Sequence, residues 1–406
     1  MPLNDTNQIK YNDPAGGTES SVGPQIRTDY FNKQGLIEAQ KEQYFGQLAD
    51  VTSMPKHFGK TIKKYHFLPL LDDRNANDQG IDAAGSTIND GNIYGSSKDI
   101  GTITSKLPSL SETGGRVNRV GYTRVILEAT LEKLGFFHEF TRESLDFDSD
   151  SELYGHLSRE LIMGANEITE DVLQIDLLNG AGVLRYGGDA TQDSEMTGET
   201  GDTVSTITYA DLQRLSIDLD NNRTPKKTKI ITGSRMVDTR TVEAGRILYC
   251  GSELIPSITK MTDHFDNPAF IDVSQYGAAG SYHTGANMIH GEIGKVGQFR
   301  IVVVPEMAHW AGAGKATTTN AGYRATGGNY DVFPMLIIGD GSFTTVGFQT
   351  DGKSVKFKIV TKMPGDAVAM HNDPYGETGF SSIKWFYATM ILRAERLAVA
   401  KSVAEL

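Results

Sequence analysis

Between Ser149 and Asn179 the residues Leu153, Leu157, Leu161, Ala165, Ile168, Val172, Ile175 and Leu177/Leu178 recur at steps of three and four. That spacing draws one apolar stripe along a helix. About thirty residues at 1.5 Å each make a rod of roughly 45 Å, several times a typical strand. Asp148, Ser149, Asp150 and Ser151 offer N-cap oxygens, and Asp146 and Glu152 suit the positive helix end. Asn179-Gly180-Ala181-Gly182 is a strong stop. A single helix this long predicts a spine against which sheets pack.

The rest of the chain reads mainly as strands. Lys60–Asp72 is β-branched and aromatic, and Val117–Glu143 has strand-like composition. Further strands are predicted at Thr228–Thr232, Arg246–Tyr249, Phe299–Val304, Phe333–Ile338, Thr344–Gln349 and Ser354–Thr361. Tyr209–Asn222 reads as a second helix opened by Thr208, and Leu36–Val51 as a short helical pattern. Ser381–Ser402 begins aromatic and β-branched and ends in helix-formers. The predicted class is α+β, with no internal repeat of 20–50 residues.

Two stretches stand apart. Residues 1–35 are polar, with no sustained apolar period, and read as an extended arm ordered by contact with something else. Residues Asp73–Arg116 are almost all turn-formers and small polar residues. An insert this long is usually functional or disordered. Flanked by strands, it predicts a projecting hairpin that is not stable alone and needs a neighbour.

Size and charge narrow the classes. At 406 residues the chain exceeds the roughly 250–300 at which one hydrophobic core stops growing. Forty-four glycines exceed the average share of about 7 % and imply many tight loops. No run approaches the ~18 apolar residues of a membrane span. A net charge of −12 argues against a protein dedicated to wrapping nucleic acid. Cys250 is the only cysteine, which excludes an intrachain disulfide and a multi-cysteine zinc site. The N-terminus MPLNDTNQIKYNDP lacks a basic and apolar leader, so a reducing cytoplasm is expected.

The search for chemistry returns no site. His138-Glu139 begins like a zinc motif but continues Phe140-Thr141-Arg142, without the second ligand. Gly312–Thr317 (GAGKAT) has His309 where a phosphate loop needs glycine, and Ala316 where it needs a hydroxyl. Asp146–Glu152 and Asp218–Lys229 each lack the glycine and the final glutamate of a calcium loop. Capping explains the first better, and a solvated turn explains the basic part of the second. Cys250 follows an apolar strand and reads as a small core residue. No catalytic, cofactor or metal residue is assigned.

The order of segments carries a resemblance. Arm, strand-flanked excursion, long helix, glycine-rich mixed domain and returning C-terminal segment together resemble the tailed-phage major capsid fold of Hong Kong 97 type. The local sequence is similar to major capsid proteins of podophages related to coliphage N-four. Carrying residues are Lys64–Asp72, Leu157–Gly182, Ile207–Lys226 and Tyr375–Ala398. The resemblance implies an N-terminal arm over 1–55, an extended-loop hairpin over 56–130 and a peripheral domain with its spine helix over 131–204. It further implies an axial domain over 205–354 and a C-terminal segment over 355–406 returning to that core. Hexamers and pentamers of the chain would close an icosahedral shell around double-stranded DNA held without sequence specificity. Scaffolding, portal and decoration proteins are further expected partners, with no membrane, no cofactor and no chemistry. Assembly would take place in the host bacterial cytoplasm. Lys98, Lys106, Arg116 and Arg119, in or beside the excursion, are the expected subunit contacts.

Three other readings compete. A bacterial nanocompartment shell uses the same fold but holds enzymes and no genome. A phage tail or binding protein would suit the Gly/Thr/Asn-rich loops but has little need of a long amphipathic helix. A carboxylate-dependent hydrolase has 51 acidic residues to draw on, yet nothing points to a particular pair.

Overall fold

The computed structural model describes residues 44–54, 59–67, 79–81, 87–89, 100–105, 124–147, 153–231, 239–242, 245–275, 291–320, 322–348, 357–365 and 373–406. A mixed seven-stranded sheet forms its centre. Across it run Phe270–Asp272, Glu292–Val296, Phe299–Val303, Arg246–Cys250, Phe333–Ile338, Leu397–Ser402 and Val183–Tyr186. Arg246–Cys250 is parallel to Phe299–Val303, Leu397–Ser402 is parallel to Val183–Tyr186, and the other pairs are antiparallel.

Alternation along these strands sends side chains to two cores. Ile247, Tyr249, Val302, Leu336, Ile338, Leu397 and Val399 pack with Leu161, Ala165, Leu173 and Leu177 of the long helix. Leu248, Cys250, Ile301, Met335, Ile337, Ala398 and Ala400 pack with Leu212, Leu215 and Leu219 of the helix Tyr209–Asn221. A sheet buried on both faces needs apolar residues at successive positions, which is why Phe333–Ile338 is an unbroken apolar run.

The long helix spans Leu153–Asn179. Gly180 ends it under the side chain of Ile391, where a Cβ would fall 1.8 Å from that residue's Cδ1. The expected cap residues, Asp148 to Ser151, lie outside the described residues. The apolar stripe needs a correction. Leu161 and Ala165 are buried as expected, but Ile168 and Ile175 face solvent while Leu173 and Leu177 take the inner positions. A helix clamped between two sheets buries a wider arc than the predicted stripe, so the arc includes Gln174, whose amide meets Met307 Sδ at 2.8 Å. The second helix matches its prediction. Thr208 Oγ1 accepts from Asp211 N at 3.3 Å, and the Asp211 carboxylate accepts from Thr208 N at 3.0 Å.

Beside the long helix lies an antiparallel sheet of Phe357–Lys362, Thr378–Tyr387 and Glu132–Thr141. Its inner face brings Phe136, Ile383 and Trp385 into the long-helix core. Trp385 meets Phe136 and Phe357 edge-on, with ring centroids 6.1 and 5.6 Å away. A third core joins Met54, Ala129, Leu131, Val346, Ala388 and Met390. These come from a small sheet of Asp50–Met54, Phe343–Phe348 and Thr389–Ile391 and from the chain at and just after Arg124–Thr130.

One point left open by the sequence is decided, and one expectation is overturned in its described part. The helix-forming tail Leu397–Ser402 is a strand, every residue of it buried, because its place inside the central sheet outweighs the propensity of Leu, Ala and Lys. Of the helical pattern Leu36–Val51, residues 36–43 lie outside the described residues. The described part is a short 3-10 turn, Gly46–Leu48, leading into the strand Asp50–Met54.

Candidate assembly surfaces

The chain enters the described fold over the long helix. Glu170 Oε1 accepts hydrogen bonds from the backbone of Tyr44, Phe45 and Gly46, at 2.9, 2.6 and 3.4 Å. Phe45, buried beside it, packs edge-on against Tyr249 at 5.2 Å between centroids. One helical carboxylate thus satisfies the amides of an incoming turn, while a phenyl ring fixes its depth.

The root of the excursion is the antiparallel pair Thr61–Phe67 and Arg124–Thr130. Ile62, Leu127 and Ala129 sit on the third core. On the other face Lys63 pairs with Glu128 at 2.6 Å, and Arg124 lies 4.0 Å over the ring of Tyr65. Tyr65 and Ile126, directly opposite each other, are about half exposed. This root therefore holds one apolar face inward and offers a smaller one outward. The expected contact residues Lys98, Lys106, Arg116 and Arg119 lie outside the described residues.

Several of the sequence's chemical candidates are engaged internally, and residues 148–152 of the candidate Asp146–Glu152 lie outside the described residues. His138 and Glu139 are neighbours on one strand, so they point to opposite faces and cannot share a ligand. In Gly312–Thr317, Gly312 N donates to Asp331, Gly314 N to Tyr330 O, Lys315 N to Met196 O and Thr317 N to Gly328 O. Lys315 Nζ meets Asp202 at 2.7 Å, so these amides and this ammonium are taken up internally. In Asp218–Lys229, Asp218 binds Arg185 at 2.5 Å, and Asp220 binds the buried Arg246 at 2.5 Å. Burial pushes the Cys250 thiol up to about 12, as a core residue requires. Among the described residues no group of three or more His, Cys, Asp or Glu is placed to hold a metal.

Two buried charges were not legible in the sequence. Glu199 closes the loops beside the central sheet, accepting from Thr318 N, Thr319 N and Thr319 Oγ1 at 2.5–2.6 Å and from Tyr330 OH at 3.0 Å. These donors, led by the Thr319 hydroxyl, lower its carboxyl to about 2. Lys401 reaches both oxygens of Asp193 at 2.7 and 2.8 Å and lies 4.0 Å over Trp310. Both join residues more than a hundred positions apart, and neither leaves a local pattern.

Comparison with known proteins gives these surfaces a setting. The family model described as phage capsid protein matches residues 124–402. The major capsid protein of Pseudomonas phage KPP21 is 61 % identical over 398 residues, which is 98 % of each chain. Among solved structures, the capsid of Ralstonia phage GP4 superposes with a TM-score of 0.57 at 10 % identity, covering 95 % of this chain and 97 % of that one. The capsid asymmetric unit of cyanophage Pam1 gives 0.51 at 11 % identity, covering 94 % and 97 %. The mixed helix-and-sheet architecture is therefore the phage capsid fold of Hong Kong 97 type expected from the order of segments. The chain belongs to the phage capsid protein family, as a major capsid protein and a structural part of the phage virion.

Proposed function

We propose that copies of this chain assemble as hexamers and pentamers into a closed icosahedral shell around the double-stranded DNA of a tailed phage. The observation that carries this reading is the 61 % identity, over 98 % of both chains, with the KPP21 major capsid protein. On this reading residues 1–55 act as an arm, 56–130 as an extended loop, 131–204 as the peripheral domain, 205–354 as the axial domain and 355–406 as the returning segment. Lys98, Lys106, Arg116 and Arg119 contact neighbouring copies. Assembly proceeds in the host cytoplasm, with scaffolding, portal and decoration proteins as partners. The chain performs no catalysis and serves as a structural part of the virion; the loop Gly312–Thr317 and the carboxylates of Asp218 and Asp220 are engaged internally. The DNA is contained without base reading, as suits a chain of net charge −12.

Expression of the chain alone, followed by sedimentation velocity and negative-stain microscopy, tests this. Shells, tubes or capsomer rings are expected. A monomer or dimer that persists at high concentration, and also with its scaffolding partner co-expressed, would overturn the reading.

A further inference from the structure

Among the described residues, Glu132–Thr141 is the outer strand of its sheet, and it pairs with Thr378–Tyr387 along its whole length without a break in register. One step beyond that ladder, Arg142 N donates to Glu377 O at 2.8 Å. In an antiparallel pair, hydrogen-bonded and non-hydrogen-bonded positions alternate. Leu134, Phe136, His138 and Phe140 therefore direct their backbone groups to the neighbouring strand, while Lys133, Gly135, Phe137 and Glu139 turn theirs to the open edge. The same four residues lie on the face away from the long helix, and all four are exposed.

Both ends of this stretch are closed off within the copy. Leu131 N, which the same alternation turns outward, donates to Lys60 O at 2.9 Å. Thr141 O accepts from Ser144 Oγ at 2.7 Å, and Thr141 Oγ1 accepts from Ser144 N at 3.3 Å. Among the described residues the open edge thus runs from Lys133 to Glu139, with Phe136 at its midpoint.

An open edge strand is a template for pairing with another chain, and its side chains select that chain. Turned antiparallel about Phe136, a second copy sets its Glu139 opposite Lys133 and its Phe137 opposite Gly135, and the reverse. Within one copy Lys133 and Glu139 are six residues apart on an extended strand, about 20 Å, and do not reach each other. Gly135 leaves an opening on the outer face, where a Cβ would fall 2.7 Å from Ile383 O and 3.2 Å from Lys384 Cβ. A phenyl ring from the facing strand covers such a glycine, and Phe137 is 64 % exposed. The open backbone, the charge pair and the ring over the glycine all share Phe136 as their centre. A shift of two residues sets Lys133 opposite Thr141 and Phe137 opposite itself, and both matches are lost.

We propose that two copies of this chain join edge to edge through Lys133–Glu139, antiparallel across a two-fold axis at Phe136, so that their sheets run on as one. The proposal rests on the self-assembly proposed above and names one of its contacts. A contact that uses the same surface on both copies closes at two, so in a shell it ties one ring of copies to the next. The two Lys133–Glu139 pairs fix its register.

Disulfide trapping in assembled particles tests the pairing. Directly opposed residues of a hydrogen-bonded antiparallel pair lie about 5.5 Å apart at Cα, within reach of a disulfide, and the native Cys250 is buried. Lys133→Cys with Glu139→Cys is expected to run as a covalent dimer on a non-reducing gel after mild oxidation. Either substitution alone should stay monomeric. Bands above the dimer would mean a head-to-tail contact, and dimers from a single substitution would mean another register. Both results overturn the proposal, as does absence of the dimer in intact shells. Lys133→Glu sets like charges opposite each other at both ends, and should raise the concentration needed for assembly about tenfold or more. Adding Glu139→Lys should restore it, with the melting temperature of the unassembled chain unchanged throughout. Wild-type assembly by Lys133→Glu, or no rescue by the added Glu139→Lys, also overturns the pairing. Intact shells without the dimer leave the proposed function standing, whereas a chain that forms no particles, and no dimer with both cysteines in place, counts against both.

Discussion

At the scale of single residues, Glu199 shows how a buried carboxylate ties distant loops. Its four donors hold the charged form, so its folded carboxyl at about 2 lies below the ordinary 4.5. A depressed acid contributes stability that is present above its unfolded value and is lost as pH falls through the folded one. The melting temperature of the unassembled chain should therefore fall between about pH 4.5 and pH 2, in part through Glu199. Glu199→Gln should melt lower at pH 7, since an amide N–H₂ would face backbone donors. It should also lose less on acidification than the wild type, as thermal scans across pH would show. An equal loss in both would contradict the assignment. Sequence reading had no access to this site, because Glu199 meets Thr318 and Thr319 across about 120 positions of chain. Cys250, whose role follows from its flanking strand residues alone, was legible as a core residue.

At the scale of elements, the long helix and the strands were legible wherever a local period decided the outcome. Phe333–Ile338 was predicted to the residue, and the Thr208 cap was read correctly. What the local signal left open or misplaced was decided by tertiary placement. Leu397–Ser402 carries helix-formers but fills a slot between two strands of a doubly covered sheet. On the long helix the period was right but the assigned face drifted, since Ile168 and Ile175 keep step with the stripe yet look outward. Two positions separate an energetic test. Leu177 is fully buried, and Leu177→Ala should cost about 2–5 kcal/mol through lost burial and a cavity. Ile175 is about half exposed, and Ile175→Ala should stay within about 1 kcal/mol. Urea unfolding of the unassembled chain measures both. Comparable losses would mean that the helix turns a different face to the sheets.

At the scale of the whole molecule, physical reading of the sequence reached an α+β chain with segments that need neighbours. Specifying which fold took the order of segments and its resemblance to capsid proteins. The reason is physical: a shell subunit has no reacting atoms whose geometry demands a short motif. Its function lies in many contacts, each weak, spread over surfaces that no local pattern marks. The excursion rooted on Thr61–Phe67 and Arg124–Thr130, the turn clasped by Glu170 and the charged strand Glu132–Thr141 all fit such a subunit. The most direct test is a cryo-electron microscopy reconstruction of the phage particle, with this chain fitted into the density. The account predicts copies arranged in six-fold and five-fold rings throughout the shell, with the central sheet and long helix recognisable in each. Shell density that rejects the chain, or density for it confined to the tail, would contradict it.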